Sequence, residues 1–215
     1  PIHSSAASDV YKRQVLISLG SNKGGEFPTF MESKQYDPSF EIFAFEPEPR
    51  CFEHIQEVMK KVPNITHIAK GAGVEDGVLS FRVGRLTVSG TLDQTKKPDM
   101  MTGEEVLIEV LDISKWVMEN FNKDDHILMT MDIEGTEYDV LDKMIQDGSL
   151  DWIDKLYVEW HGSKSIGFDM NREYFLSEQL VSIMGDRVWF GWIEGDQAKA
   201  KRAMPDTGGN IYNML

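Results

Sequence analysis

Short apolar runs, each ending abruptly in a glycine, an acid or a histidine, recur along this chain and alternate with stretches of helical periodicity. Val15–Leu19 ends at Gly20, Glu41–Phe45 at Glu46, Ile65–Ala69 just before Gly71, Ile127–Met131 at Asp132, and Lys155–Trp160 at His161. Amphipathic segments lie between them. Pro49 opens one with Phe52, Ile55, Val58 and Val62 at helical spacing. Asp112 can cap a second carrying Ile113, Trp116, Val117 and Phe121, and a third runs from about Glu137 to Gln146 before Asp147-Gly148. This alternation is the signature of a doubly wound α/β sheet. Further strands are predicted over Val78–Val83, Val106–Leu111, Val188–Trp192 and Ile211–Met214, and a further helix over Arg172–Met184. The Gly/Thr/Lys/Pro-rich piece from Gly90 to Gly103 reads as a loop, and loops that long inside a compact domain are usually functional or mobile.

A chain of 215 residues is long enough for one well-packed domain, and we assign it to residues 15–215. Residues 1–14 resemble a translated adapter and are set aside as a leader. With 22 Lys+Arg against 36 Asp+Glu, the net charge of -14 disfavours nucleic acid and anionic lipid surfaces as partners. No apolar run approaches the roughly 20 residues of a membrane helix. The single cysteine, Cys51, cannot form an intramolecular disulfide and reads as a packed thiol, and a reducing, cytoplasmic location is expected.

The segment Leu128–Leu141 carries the most chemistry. Its apolar run meets Asp132, Glu134 and Glu137 within six positions, with Gly135 among them, and then turns helical. Carboxylates are costly at a buried strand tip unless compensated, whereas the carboxyl ends of strands are where ligands bind in open α/β sheets. A second signal is the turn Gly20-x-Asn22-x-Gly24-Gly25, joining a strand to a helix, where glycines admit a ligand to the backbone. Glu46, at the tip of the next strand, can accept both ribose hydroxyls of an adenosine cofactor. Nicotinamide dinucleotides and S-adenosylmethionine both use such an arrangement. A dinucleotide needs close backbone approach to its pyrophosphate, and here Asn22 replaces the second glycine of that motif. S-adenosylmethionine has no phosphate, and its sulfonium favours nearby acids.

Val15–Gly24, Phe43–Pro49, Ala72–Gly77, Val110–Asp112, Met131–Leu141 and Val158–His161 together resemble the FkbM-type family of S-adenosylmethionine-dependent methyltransferases. The resemblance implies a Rossmann-like class I methyltransferase fold: a mostly parallel seven-stranded sheet with helices on both faces and an antiparallel last strand. It also implies methylation of a hydroxyl oxygen on a sugar, glycan or other small molecule. Gly20, Ser21, Asn22, Gly24, Glu46, Pro47, Ala72, Asp76 and Asp132 become the expected cofactor residues, with Asp76 toward the adenine. The family usually has an acid two residues before the first glycine, where this chain has Ser18. That departure keeps a non-catalytic cofactor-binding module open as an alternative, beside a nicotinamide-dependent oxidoreductase.

An unactivated alcohol needs a base or a metal, and in-line positioning against the sulfonium. His161 at its strand tip is the expected general base, since imidazole titrates near neutrality. Asp132, Glu134 and Glu159 complete the expected catalytic group, while Glu137 and Trp160 are expected to meet the acceptor. The same oxygen-rich set suits a hard divalent cation such as Mg²⁺, Mn²⁺ or Ca²⁺, although no ligand spacing demands one and no metal ligand is assigned.

Overall fold

The computed structural model describes residues 12–191. Six strands form the main sheet: β1 (Gln14–Leu19), β2 (Glu41–Phe45), β3 (Ile65–Ile68), β7 (His126–Met131), β8 (Lys155–Glu159) and β9 (Val188–Gly191). Their order is β3-β2-β1-β7-β8-β9, and every pairing in this sheet is parallel. The seventh strand expected at Ile211–Met214 lies outside the described residues. Arg13 and Gln14, set aside with the leader, belong to the folded body. Gln14 pairs with His126 in the β1–β7 register, and the Arg13 guanidinium donates to both oxygens of Glu41 at 2.9 and 2.7 Å.

Alternate residues of the central strands feed two cores. Leu16, Ile42, Ala44 and Leu128 pack with Phe27 and Phe30 of α1 (Glu26–Met31), and with Val58 of α2 (Pro49–Met59). Val15, Ile17, Ile127 and Met129 face the other way, against α3 (Ile113–Asn120), α4 (Glu137–Asp147) and α5 (Met170–Met184). Helix ends follow local chemistry. Asp112 caps α3 by accepting the Lys115 N–H at 3.0 Å, and Asp169 caps α5 through the Asn171 N–H at 2.9 Å, starting that helix two residues before the predicted Arg172. Gly148, at φ 76°, ends α4 in the left-handed conformation that glycine tolerates best.

A second, three-stranded sheet was not foreseen as such. β4 (Gly71–Gly73), β5 (Gly77–Gly84) and β6 (Met101–Asp112) associate in the order β4-β6-β5, with β5 and β6 antiparallel. β6 begins at Met101, five residues before the predicted Val106, which shortens the loop between the strands. That loop is anchored rather than free. Thr91 exchanges backbone hydrogen bonds with Arg82, the Lys97 N–H donates to the Lys164 carbonyl at 2.9 Å, and the Ile166 N–H donates to the Thr95 carbonyl at 2.8 Å.

Candidate functional site

The strand order reverses direction between β1 and β7, the topological switch at whose carboxyl side open α/β sheets bind ligands. A cleft of about 580 Å³, including its solvent mouth, lies at this point. Its floor is Gly20 and Asn22 after β1, Glu46 and Pro47 after β2, and Asp132 to Glu134 after β7. Gly71 and Ala72 of β4 close one side. Phe81 of β5, with Val88, Gly90 and Leu92 beyond it, supplies an apolar wall.

The floor is held by backbone. Gly20 and Ser21 both donate their N–H to the Phe45 carbonyl at 3.0 Å. Gly20 has φ +85°, and a Cβ there would run into the Asp132 carbonyl oxygen, so only glycine lets the β1 turn lie against the end of β7. Asn22, also left-handed at φ 45°, donates its N–H to Glu46 at 2.7 Å. The other Glu46 oxygen accepts the Glu48 N–H at 2.8 Å. Each oxygen therefore keeps acceptor capacity for a ligand hydroxyl. Burial raises the Glu46 carboxyl to about 7 against the pull of those two N–H donors. Ser18 is buried and its hydroxyl donates to the Glu26 carboxylate, so an acid does reach the foot of the glycine turn, from α1. The Cys51 thiol donates to the Asn22 side-chain oxygen at 3.0 Å, and burial pushes it up to about 12, the behaviour of a packed thiol.

Beyond Asp132 the chain turns sharply. Glu134 sits at φ 58°, a left-handed value uncommon outside glycine, and Gly135 follows at φ 126°. Such backbone costs of order 1–3 kcal/mol and persists where surrounding contacts impose it. Here those contacts converge on the turn. The Thr91 hydroxyl donates to the Glu134 carbonyl at 2.7 Å, and the Glu137 carboxylate accepts the N–H groups of Ile133 at 3.1 Å and Gly135 at 2.9 Å. The turn aims the Glu134 carboxylate at Lys96, whose ammonium is fully buried, and at Lys164, 3.3 Å away.

Behind this turn, His161 is 0% exposed. Its Nδ1 lies 2.7 Å from Glu137 Oε1. Its Nε2 lies 3.2 Å from Glu134 Oε1 and 3.4 Å from both Asp132 Oδ1 and Glu159 Oε1, yet it aligns with none of them as a hydrogen bond. Burial opposes a charge on this ring, but Glu137 and the other carboxylates outweigh it and raise the histidine well above its ordinary value. Burial also raises Glu134, and there His161 and Lys96 win, holding the carboxyl at about 2. Asp132 goes the other way: burial and the facing Glu159 carboxylate raise it well above the usual range.

Several expectations need correction. His161 does not line the cleft: its ring is fully buried behind it, among Glu134, Glu137 and Glu159. Glu137 is fully buried and engaged with backbone N–H groups and His161, so it meets no acceptor. Trp160 is 2% exposed and stacks on Tyr138 and Phe190 as core. Asp76 lies outside the cleft lining, where it accepts the Asp112 N–H at 3.0 Å and pairs with Lys115 at 2.7 Å. Ser21, Gly24 and Glu159 are also not among the lining residues. Gly20, Asn22, Glu46, Pro47, Ala72, Asp132 and Glu134 are brought together on it. Lys96, Phe81 and Leu92 were not singled out, although Leu92 and Lys96 lie in the Gly90–Gly103 loop read as functional or mobile. Lys96 had one visible signal, a cation inside a Gly/Thr/Pro-rich loop opposite an acidic turn in an acidic chain.

A parallel sheet reversing at β1/β7, a glycine turn after the first strand, and an acid at the tip of the second define a Rossmann-like fold of the class I methyltransferase kind. The chain belongs to the FkbM methyltransferase family, whose domain model, described as the methyltransferase FkbM domain, matches residues 18–184. No curated protein sequence matches it. Among solved structures, the chain is similar to methyltransferase FkbM from Methylobacillus flagellatus KT, at 18% identity and a TM-score of 0.48, over 80% of this chain and 37% of the other. The chain thus spans well under half the length of that relative.

Proposed function

We propose that the protein transfers the methyl group of S-adenosylmethionine to a hydroxyl oxygen of a small molecule or glycan. The observation that carries this reading is the pairing, across one cleft, of Glu46 on one side with Asp132 on the other. In the proposal, Glu46 accepts the ribose hydroxyls, and the apolar wall of Phe81, Val88 and Leu92 takes the adenine. The sulfonium lies toward Asp132. Because His161 is withdrawn from the cleft, Asp132, which lines it, is the carboxylate assigned to the acceptor hydroxyl.

Two rivals lose ground on specific contacts. A dinucleotide would need free N–H groups on the glycine turn for its pyrophosphate, but Gly20 and Ser21 donate to Phe45, and Asn22 to Glu46. The non-catalytic module drew on Ser18, and Glu26 now supplies an acid at that place. The test is transfer of labelled methyl from S-adenosylmethionine to a panel of hydroxyl acceptors. Turnover that drops at least 10²-fold in Asp132→Asn, with cofactor affinity kept, supports the reading. Binding without transfer to any acceptor would favour the module.

A further inference from the structure

The carboxylate cluster behind the cleft has a feature that its hydrogen bonding does not explain. His161 Nε2 and Asp132 Oδ1 are both buried, 3.4 Å apart, and neither has a hydrogen-bond partner among the described residues. Buried polar atoms are nearly always paired, so two orphans facing one another point to something between them. We propose that Asp132 Oδ1, Glu134 Oε1 and His161 Nε2 bind one divalent cation of the Mg²⁺/Mn²⁺ class, with Glu159 as a fourth ligand.

Geometry supports it first. One ligand atom from each of Asp132, Glu134 and His161 lies within 4.8 Å of the others. Nε2 stands 3.2–3.4 Å from one oxygen each of Glu134, Asp132 and Glu159. Neighbouring ligands on an octahedral cation with bonds of about 2.1 Å are about 3 Å apart, so small side-chain shifts close the shell.

The surroundings of the ring match as well. A metal-binding histidine almost always donates its other N–H to a carboxylate, carbonyl or water, which fixes the tautomer and turns the free nitrogen to the ion. Glu137 takes that place at 2.7 Å from Nδ1, and is itself fixed by the Ile133 and Gly135 N–H groups. Carboxylates outnumber cations around the ring: Asp132, Glu134, Glu137 and Glu159 all approach His161, while the ammonium groups of Lys96 and Lys164 both pair with Glu134. Such a surplus of acid favours a bound cation. A donor set of carboxylates with one imidazole suits Mn²⁺ or Mg²⁺ better than a thiophilic metal.

Binding itself does not depend on the methyl-transfer reading. Its use does: Asp132 also lines the cleft, so a cation on its buried Oδ1 would fix the carboxylate that faces the acceptor.

The test is electron paramagnetic resonance titration of Mn²⁺ into chelator-treated protein, with S-adenosylhomocysteine affinity measured alongside. One saturable Mn²⁺ per chain, competed by Mg²⁺ and showing one coordinated imidazole nitrogen by electron spin echo modulation, is expected. Asp132→Asn should weaken it at least tenfold and Glu137→Gln by about 10–100-fold, while Glu119→Gln, an exposed acid elsewhere, leaves it unchanged. His161→Ala should abolish the nitrogen signal; should that variant not fold, Asp132→Asn at the cleft wall decides. Absence of saturable Mn²⁺ binding, or an affinity indifferent to Asp132→Asn, overturns the site. If S-adenosylhomocysteine still binds in that event, the methyl-transfer reading survives without the cation. Saturable Mn²⁺ in protein that ignores the adenosyl ligand upholds the cation site and overturns methyl transfer instead.

Discussion

Glu46 offers a prediction with its sign and size already set. Its carboxyl is 5% exposed and raised to about 7, chiefly by burial, in the protein without ligand. Ribose hydroxyls donating to it would favour the ionised form and lower that value, so cofactor binding at neutral pH should expel a proton. With the bound value two or more units lower, the Kd for S-adenosylhomocysteine weakens about tenfold from pH 8 to pH 6, or about 1.4 kcal/mol. Calorimetry in two buffers of different protonation enthalpy should read release of about half a proton at pH 7. Glu46→Gln, checked for folding, should bind more weakly and flatten both dependences. A Kd that is level from pH 6 to 8, or tighter at low pH, would refute the ribose role. Free protein carries a second signature. Because the folded value lies above the ordinary 4.5, the native state holds this proton more tightly. Its contribution to stability is whole below about pH 4.5 and declines by up to about 3 kcal/mol as the pH rises to about 7.

Three further outcomes follow from the packing of the site. Gly20→Ala should cost at least about 3 kcal/mol in denaturant unfolding, since φ +85° and the Asp132 carbonyl both oppose a side chain; a near-neutral result would mean that the turn relaxes. Glu137→Gln should cost about 3 kcal/mol or more, because a buried histidine loses its charged partner. Tyr138→Phe should cost about 1–3 kcal/mol without altering affinity for S-adenosylhomocysteine. Its hydroxyl donates to Glu173 at 2.9 Å and accepts the Gly162 N–H at 2.8 Å, and it lies outside the cleft lining.

Elements whose residues are buried on both sides were the legible ones. β1, β2, β7 and β8 read directly because their apolar runs are unbroken, and α3 and α4 because Asp112 and Gly148 mark an end of each. The early part of β6 was missed because Thr102 to Glu105 are exposed and polar on a strand whose partner, β5, is reached only through the intervening loop. The cleft floor was legible for a related reason: Gly20, Asn22, Glu46 and Asp132 sit at strand ends, and in this architecture strand ends converge. Which way a side chain turns once there was not legible. Glu137 begins a helix as expected, but its carboxylate folds back onto the N–H groups of its own turn, and His161 follows it inward. Lys96, Phe81 and Leu92 arrive from the small sheet and its loop. Local periodicity carries no information about a hairpin that folds over a switch point formed by strands distant in sequence.

Assignment of the cleft to an adenosyl cofactor stands or falls on equilibrium calorimetry of the purified chain with S-adenosylhomocysteine and, separately, with NAD⁺. Saturable one-to-one binding of S-adenosylhomocysteine, displaced by S-adenosylmethionine, is expected, with no saturable heat from NAD⁺. Saturable NAD⁺ binding in protein that gives no heat with millimolar S-adenosylhomocysteine would contradict it.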